Sequence, residues 1–202
     1  MSLIPAFELG FWNAWILTIP ILIISFSDMA ATASRESGKE ADFKLTKKEN
    51  AISNAIFLSM IISWLYTVFL PLQLSTIWLY SGLIIFLFGA VFTTTAIINF
   101  ATSPKEKVIT KGLYHFTRNP TYIGLILMHT GLGIVCASWL YLLLTAVFLI
   151  MLNTISPSEE LYLLHRYGDD YQKYKNSTPR WIGIPKSEKK ESDEFSITHR
   201  AS

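Results

Sequence analysis

Two clusters of polar and aromatic residues stand beside apolar segments of this chain. The first, residues 112–124 (GLYHFTRNPTYIG), places an arginine, an asparagine and two tyrosines directly before a run of Leu, Ile and Met. The second, residues 156–174 (SPSEELYLLHRYGDDYQKY), contains the adjacent carboxylates Glu159 and Glu160. If the clusters met, they would form a pocket with carboxylates, an arginine, an amide and aromatic faces, which could bind a charged organic molecule.

Each cluster also has a purely structural explanation. Pro120 suits the first turn of a helix, and Asn119 precedes it at an N-cap position. Residues 156–159 fit a capping box in which the Glu159 carboxylate accepts from the Ser156 N–H. A capping box explains only one of the two carboxylates. Glu160 is costly at the edge of a bilayer unless a cation or a hydrogen-bond donor compensates it.

The composition predicts an all-α membrane protein. Of the 202 residues, 51% are hydrophobic and 16% are charged, whereas charged residues make up about a quarter of an average soluble domain. The apolar residues fall in long runs, which favours a polytopic membrane protein of one domain over a soluble helical domain. The net charge of +2 gives no indication of nucleic-acid binding, because the basic residues lie beside hydrophobic segments rather than in one patch.

The apolar runs predict about five transmembrane helices. Three are expected near residues 11–26, 52–72 and 77–100. The stretch 122–155 would be roughly 50 Å long as one helix, well beyond a hydrocarbon core of about 30 Å. We therefore expect a break at residues 137–139 (ASW), which makes spans four and five a short helical hairpin with a tryptophan at the membrane interface.

The distribution of Lys and Arg predicts the orientation. These residues concentrate between spans one and two, between spans three and four, and after span five, whereas the other two links contain none. Five spans with an outside N-terminus place all three basic intervals in the cytoplasm, as the positive-inside rule requires. The two polar clusters would then share the cytoplasmic face. Beyond span five, apolar residues recur every three or four positions over 161–174, which predicts an amphipathic helical segment, and residues 186–202 are predicted to be a disordered polar tail.

At this point the residues resemble a known group. The 112–124 element, the Glu159–Glu160 pair and residues 166–185 (RYGDDYQKYKNSTPRWIGIP) resemble the integral-membrane methyltransferases of the isoprenylcysteine carboxyl methyltransferase and phospholipid methyltransferase superfamily. The resemblance covers about residues 104–185 and implies one transmembrane methyltransferase domain, 1–185, whose cofactor-binding part is 104–185. Asn119 replaces the histidine of the carboxyl methyltransferase branch, which favours the phospholipid or microbial branches, and His115 stands where arginine is common.

The resemblance implies a cofactor, an acceptor class and a set of site residues. The methyl donor would be S-adenosylmethionine, without a metal, and the acceptor a lipophilic or small membrane-accessible molecule: an isoprenylcysteine-type carboxylate, a phospholipid amine or a thiol. Glu160 and Arg180 would be the catalytic residues. The cofactor would be bound by Tyr114, Arg118, Asn119, Pro120, Tyr122, Gly124, Glu159 and Glu160. The chemistry fits, because carboxylates suit the ammonium or ribose hydroxyls of the donor, and arginines suit its carboxylate.

The sequence is also compatible with two alternatives. A membrane reductase of the steroid-reductase type has a similar C-terminal organisation and would use NADPH. A non-catalytic membrane protein would use the polar clusters only to cap helices and to set topology.

Other residues in the spans are expected to be structural. His129 is predicted to be a neutral imidazole that is hydrogen-bonded to a neighbouring helix, and it is not a motif position of the superfamily. The pair Gly131 and Gly133, and the pair Gly82 and Gly89, are predicted to allow close helix packing. The single cysteine, Cys136, cannot form an internal disulfide and is expected to be buried.

Overall fold

The computed structural model describes residues 9–36 and 46–183, and within them the protein is helical without strands. The helices, in chain order, are α1 (Trp15–Glu36), α2 (Lys47–Thr67), α3 (Ile77–Ala101), a 3-10 turn (Gly112–His115), α4 (Pro120–Val135), α5 (Trp139–Tyr167) and α6 (Asp169–Ser177). The all-α membrane fold predicted from the composition is confirmed. The predicted polar tail, 186–202, lies outside the described residues.

Four helices, α1, α2, α3 and α5, are long and apolar enough to cross a membrane, and α4 is a shorter apolar helix. These five correspond to the five predicted spans, although several boundaries differ, and α5 continues to Tyr167 rather than ending near residue 155. The helix α1 continues to Glu36 rather than ending near residue 26, and α2 ends at Thr67 rather than near residue 72. A fall in hydropathy does not end a helix, and the alanines after residue 29 favour its continuation. The start of α2 is fixed by a capping box between Thr46 and Glu49.

The predicted break between spans four and five is confirmed. The chain reverses at Ala137, which has a φ of 49°, and the Ser138 hydroxyl accepts from the Tyr141 N–H at 3.2 Å to cap α5. Trp139 is 53% exposed at the start of α5. The antiparallel hairpin returns α5 to the end of the molecule where α4 begins.

Glycines bring α3 and α4 into close backbone contact, as predicted. A Cβ atom on Gly82 would lie 2.6 Å from the Gly131 carbonyl oxygen, and one on Gly89 would lie 2.8 Å from the Gly124 carbonyl oxygen. Small residues permit this approach in a bilayer, where packing rather than the hydrophobic effect holds helices together. Beside this contact between the glycines of α3 and α4 (the glycine seam), His129 is 4% exposed. Its Nδ1 lies 2.8 Å from the Tyr141 hydroxyl on α5, which confirms the predicted hydrogen bond to a neighbouring helix.

The predicted capping box at residues 156–159 is wrong, because α5 runs through Pro157 without ending. A proline in a helix removes one backbone hydrogen bond, but the surrounding side chains hold this segment from outside. The Ser156 hydroxyl accepts from Asn119 at 3.1 Å, and the Ser158 hydroxyl donates to the Glu49 carboxylate on α2. The predicted amphipathic segment is also divided, because Gly168, at a φ of 55°, separates α5 from α6.

Candidate active site

Residues 117–119, directly before the first turn of α4 (here called the mouth of α4), are joined by hydrogen bonds to α5 and to the segment after α6. Asn119 is the N-cap residue of α4, but its side chain makes no capping bond. Its amide donates to the Ser156 hydroxyl at 3.1 Å and to the Arg180 carbonyl at 3.4 Å instead. The Arg118 N–H donates to the Pro179 carbonyl at 3.0 Å, and the Thr117 hydroxyl donates to the Arg180 carbonyl at 3.0 Å. The two polar clusters therefore meet at one end of the molecule.

Glu160 is a buried carboxylate that is surrounded by three cations. Its residue is 3% exposed. Arg180 donates to it twice, from Nε at 2.7 Å and from Nη2 at 3.1 Å. Arg118 Nη2 and Lys175 Nζ each lie 3.2 Å from its oxygens. The hydrogen bond that Arg180 donates to Glu160 raises the pKa of Arg180 above its ordinary value, so this guanidinium stays protonated.

Glu159 has different partners, because adjacent residues of a helix point about 100° apart. Its carboxylate accepts a hydrogen bond from the Tyr122 hydroxyl on α4. Among the described residues no salt bridge joins Glu159 to a cation, whereas Glu160 has three. The two carboxylates therefore differ in their electrostatic surroundings, with Glu160 held among three cations and Glu159 bonded to a phenol.

A cavity of about 250 Å³ lies beside these carboxylates. Five of the predicted site residues line it: Tyr114, Arg118, Asn119, Glu159 and Glu160. Aromatic side chains of the surrounding segments, including Phe100, Tyr171 and Tyr174, form other parts of the wall. Burial raises the pKa of Tyr171 to about 12, so this phenol stays neutral. The wall thus combines charged groups with aromatic faces.

The other predicted site residues lie outside this wall. Pro120 is buried in the first turn of α4, and Gly124 packs against α3. Arg180 is paired with Glu160. Tyr122 faces a second cavity. The binding and catalytic roles of all the predicted residues stay predictions, but the geometry divides them into a lining set and a supporting set.

Arg118 has hydrogen-bonding capacity to spare. Its side chain is 9% exposed, and one of its nitrogens, Nη2, lies against Glu160. Its Nε and Nη1 atoms are buried and have no hydrogen-bond partner within the described part of the chain. A buried donor without a partner costs on the order of 1–3 kcal/mol, and more when the group is charged. Because Arg118 lines the cavity, its free nitrogens are suited to an anionic group of a ligand.

Arg35 also lines this cavity, and sequence reasoning missed it. Its guanidinium donates at 2.6–3.4 Å to four backbone carbonyls at the end of α3 and in the loop beyond, those of Phe100, Ser103, Pro104 and Lys107. The C-terminal end of a helix carries partial negative charge, which stabilises such a cation. The sequence suggested only a topology charge, because the partners are carbonyls that no residue type reveals.

A second cavity, of about 240 Å³, lies between α1, α2, α4 and α5. Most of its wall is apolar, but Asp28 from α1 lines it together with Tyr122 and Glu159. Sequence reasoning missed Asp28 because it lies just beyond the predicted end of span one. In the structure it lies within α1, and an acidic residue inside a membrane helix is itself an indication of function.

Comparisons with known proteins agree with these observations. Residues 77–170 match the model of the phospholipid methyltransferase family, a range that includes α3, α4 and α5. This match supports the resemblance to the integral-membrane methyltransferase superfamily that the motifs predicted.

A particular relative can be named. Protein-S-isoprenylcysteine O-methyltransferase of Schizosaccharomyces pombe (strain 972 / ATCC 24843) is 29% identical over 79 residues, which are 39% of this chain and 33% of that protein. The match therefore spans about a third of the relative's length.

Proposed function

We propose that this protein is an S-adenosylmethionine-dependent methyltransferase that acts on a lipophilic or small membrane-accessible acceptor. The observation that carries the proposal is the buried Arg118 guanidinium, which lines the first cavity with two nitrogens that lack partners among the described residues. Glu159, whose carboxylate is not paired with a cation there, lines the same cavity. This pair of opposite charges suits a ligand that carries both a carboxylate and cationic groups.

The donor fits the lining residues by charge. Arg118 would hold its carboxylate, and Glu159 its ammonium, its sulfonium or its ribose hydroxyls. The aromatic rings of Tyr114 and Tyr171 would pack against the adenine. When it is bound, the donor supplies an activated methyl group on a positively charged sulfur.

The chain itself would bind, orient and exclude water. Arg180 and Lys175 compensate Glu160, which holds Arg118 in place, so we assign Arg180 a positioning role rather than contact with the reacting atoms. The Tyr174 hydroxyl donates to the Tyr114 carbonyl at 2.7 Å, which holds α6 over the cavity. A closed, oriented site of this kind favours in-line transfer, because reacting groups that are held in place avoid an entropic cost.

The proposal includes the topology and the domain limits. By the positive-inside rule, the polar clusters would lie at the cytoplasmic face and the N-terminus outside. Residues 1–185 would form one methyltransferase domain, with the cofactor-binding part in 104–185.

Ligand titration tests the proposal. Purified protein in lipid nanodiscs should bind S-adenosylmethionine and not NADPH. Arg118→Gln and Glu159→Gln should each weaken binding by about tenfold or more, since a hydrogen bond to a charged group contributes about 1.5–3 kcal/mol. Lys173→Gln, on the exposed face of α6, should leave the affinity unchanged.

The same titration separates the alternatives. Binding of NADPH but not of S-adenosylmethionine would indicate a reductase. Binding of neither ligand would indicate a non-catalytic membrane protein, in which the polar clusters serve only the fold.

A further inference from the structure

The second cavity adjoins the first at Glu159. This residue lines both cavities, and its carboxylate is held by the Tyr122 hydroxyl, which also faces the second cavity. A molecule in the second cavity would therefore have one end close to the contents of the first. That is the relation required between an acceptor and a methyl donor.

The lining of the second cavity indicates a lipophilic chain. Methionine, leucine, isoleucine and phenylalanine side chains from four helices form most of the wall, among them Met60, Leu125, Phe148 and Leu152. Apolar walls with few polar groups are typical of sites for lipophilic ligands. Both methionines of the lining, Met29 and Met60, are flexible and can adapt to different chains.

The polar groups of this cavity indicate the head of the ligand. Ser25 and Asp28 are three residues apart on α1 and share one face of the helix. Within residues 9–36 and 46–183, the Ser25 hydroxyl oxygen is buried without a hydrogen-bond partner, and no hydrogen bond or ion pair joins Asp28 to any other residue. No Lys or Arg among these residues lines the cavity. Two carboxylates without a cation repel an anionic head and attract a cationic one.

We propose that the second cavity is the acceptor site, and that Asp28 selects an acceptor with an aliphatic chain and a basic amine head. This inference rests on the proposed methyltransferase function. A protonated amine would pair with Asp28 on arrival and give its proton to that carboxylate. The nitrogen lone pair then forms a bond to the methyl carbon while the carbon–sulfur bond breaks, and its electron pair remains on sulfur.

This assignment separates two acceptor classes that the superfamily leaves open. A carboxylate acceptor needs no base, but it would enter a cavity whose two acidic side chains, Asp28 and Glu159, repel it. An amine needs a base to become nucleophilic, and Asp28 is placed to be that base.

Two single-chain probes of equal length test the inference: dodecylamine and dodecanoate, each incubated with methyl-labelled S-adenosylmethionine and the full chain in nanodiscs. Label should enter dodecylamine and not dodecanoate. Asp28→Asn should reduce the rate by about tenfold or more, as expected for loss of a general base, while the affinity for S-adenosylmethionine stays unchanged. Asp170→Asn, an exposed change of the same kind on α6, should have no effect.

The pH profile distinguishes a base from a structural residue. Besides Asp28, the titratable groups that line the cavity are Tyr122 from α4 and Glu159 from α5, and the lining residues of α2, Ser53, Ile56 and Met60, are not titratable. Asp28→Asn should regain activity as the pH approaches the pKa of the free amine, because neutral amine is then supplied by solution. A purely structural loss would not be rescued in this way.

A substitution in the apolar wall tests whether the aliphatic chain of the acceptor lies in the second cavity. Ile56→Phe narrows the cavity and should shift the preference from dodecylamine to octylamine.

The outcomes separate the two proposals. Three results would overturn the acceptor proposal alone. They are that no label enters dodecylamine although S-adenosylmethionine binds, that dodecanoate is labelled in preference, or that the Asp28→Asn variant is as active as wild type. Absence of S-adenosylmethionine binding would overturn the proposed function and this inference with it.

Discussion

At the scale of residues, the site depends on how each charge is compensated. Glu160 is buried beneath three cations, whereas Glu159 is held by a phenol and faces both cavities. Neighbours in sequence thus have different partners: one carboxylate is paired with the arginines, and the other, which is not, is the one we propose for the ligand. The two adjacent glutamates in the sequence do not show which partners each has, because that depends on the orientation of α5.

The burial of Glu160 predicts an effect on stability. Glu160→Gln removes the negative charge and leaves Arg118, Arg180 and Lys175 to repel one another, so the thermal unfolding temperature should fall by an amount that corresponds to about 3 kcal/mol or more. Lys175 is 37% exposed in its side chain, and Lys175→Gln should cost less than about 1 kcal/mol. Thermal unfolding in detergent compares the two variants, and equal shifts would contradict the buried network.

The sequence indicated some of these residues and not others. Five lining residues were recognised because they belong to motifs, and the motifs place charged and aromatic types together beside apolar runs. Asp28 and Arg35 were missed because each belongs to the site only through α1, which packs against distant segments. A residue that reaches a site by tertiary contact alone leaves no local pattern.

At the scale of elements, the contact between α3 and α4 holds the mouth of α4 in place. The seam consists of backbone against backbone, with Gly82 and Gly89 facing Gly131 and Gly124. Hydropathy predicted both helices, and the glycine spacing predicted their close approach. The path of α5 through Pro157 could not be predicted, since it depends on a hydrogen bond that Ser158 donates to Glu49 of α2 and on one that Ser156 accepts from Asn119 before α4.

The glycine seam predicts unequal effects of two alanine substitutions. Gly82→Ala would place a Cβ atom 2.5 Å from the Val135 backbone nitrogen, which cannot move aside, so we expect a loss of about 1–3 kcal/mol, as for an overpacked core. The nearest neighbours of a Cβ on Gly133 are Leu142 side-chain atoms, the closest at 2.7 Å. That side chain can rotate, and Gly133→Ala should cost less.

Thermal unfolding of the two glycine variants, with wild type beside them, measures the difference. A Gly133→Ala variant that is less stable than Gly82→Ala would show that the seam is not the tightest contact of α4.

At the scale of the whole molecule, the positions of the helix ends and of the basic residues determine which side of the membrane each group faces. Apolar run lengths and basic intervals suffice to predict five helices and an orientation. They do not predict the end of α1 or the start of α2, because helices continue past the hydrocarbon core when their residues favour it.

Site-specific labelling tests the orientation. In a Cys136→Ser background, Trp139→Cys should react with an impermeant maleimide only from the outside, and Lys173→Cys only from the cytoplasm, because the hairpin link and α6 lie at opposite ends of α5. Reaction of both positions from one side would contradict the predicted topology.

The shared wall at Glu159 has a thermodynamic consequence. A molecule bound in one cavity can change the charge of the Glu159 carboxylate or its hydrogen bond with Tyr122, and a molecule in the other cavity then binds to an altered site. The effect of each molecule on the affinity of the other must be equal. Donor and acceptor should therefore not bind independently. Saturating the protein with an alkylamine should alter the dissociation constant of S-adenosylmethionine, and S-adenosylmethionine should alter the dissociation constant of the amine by the same factor.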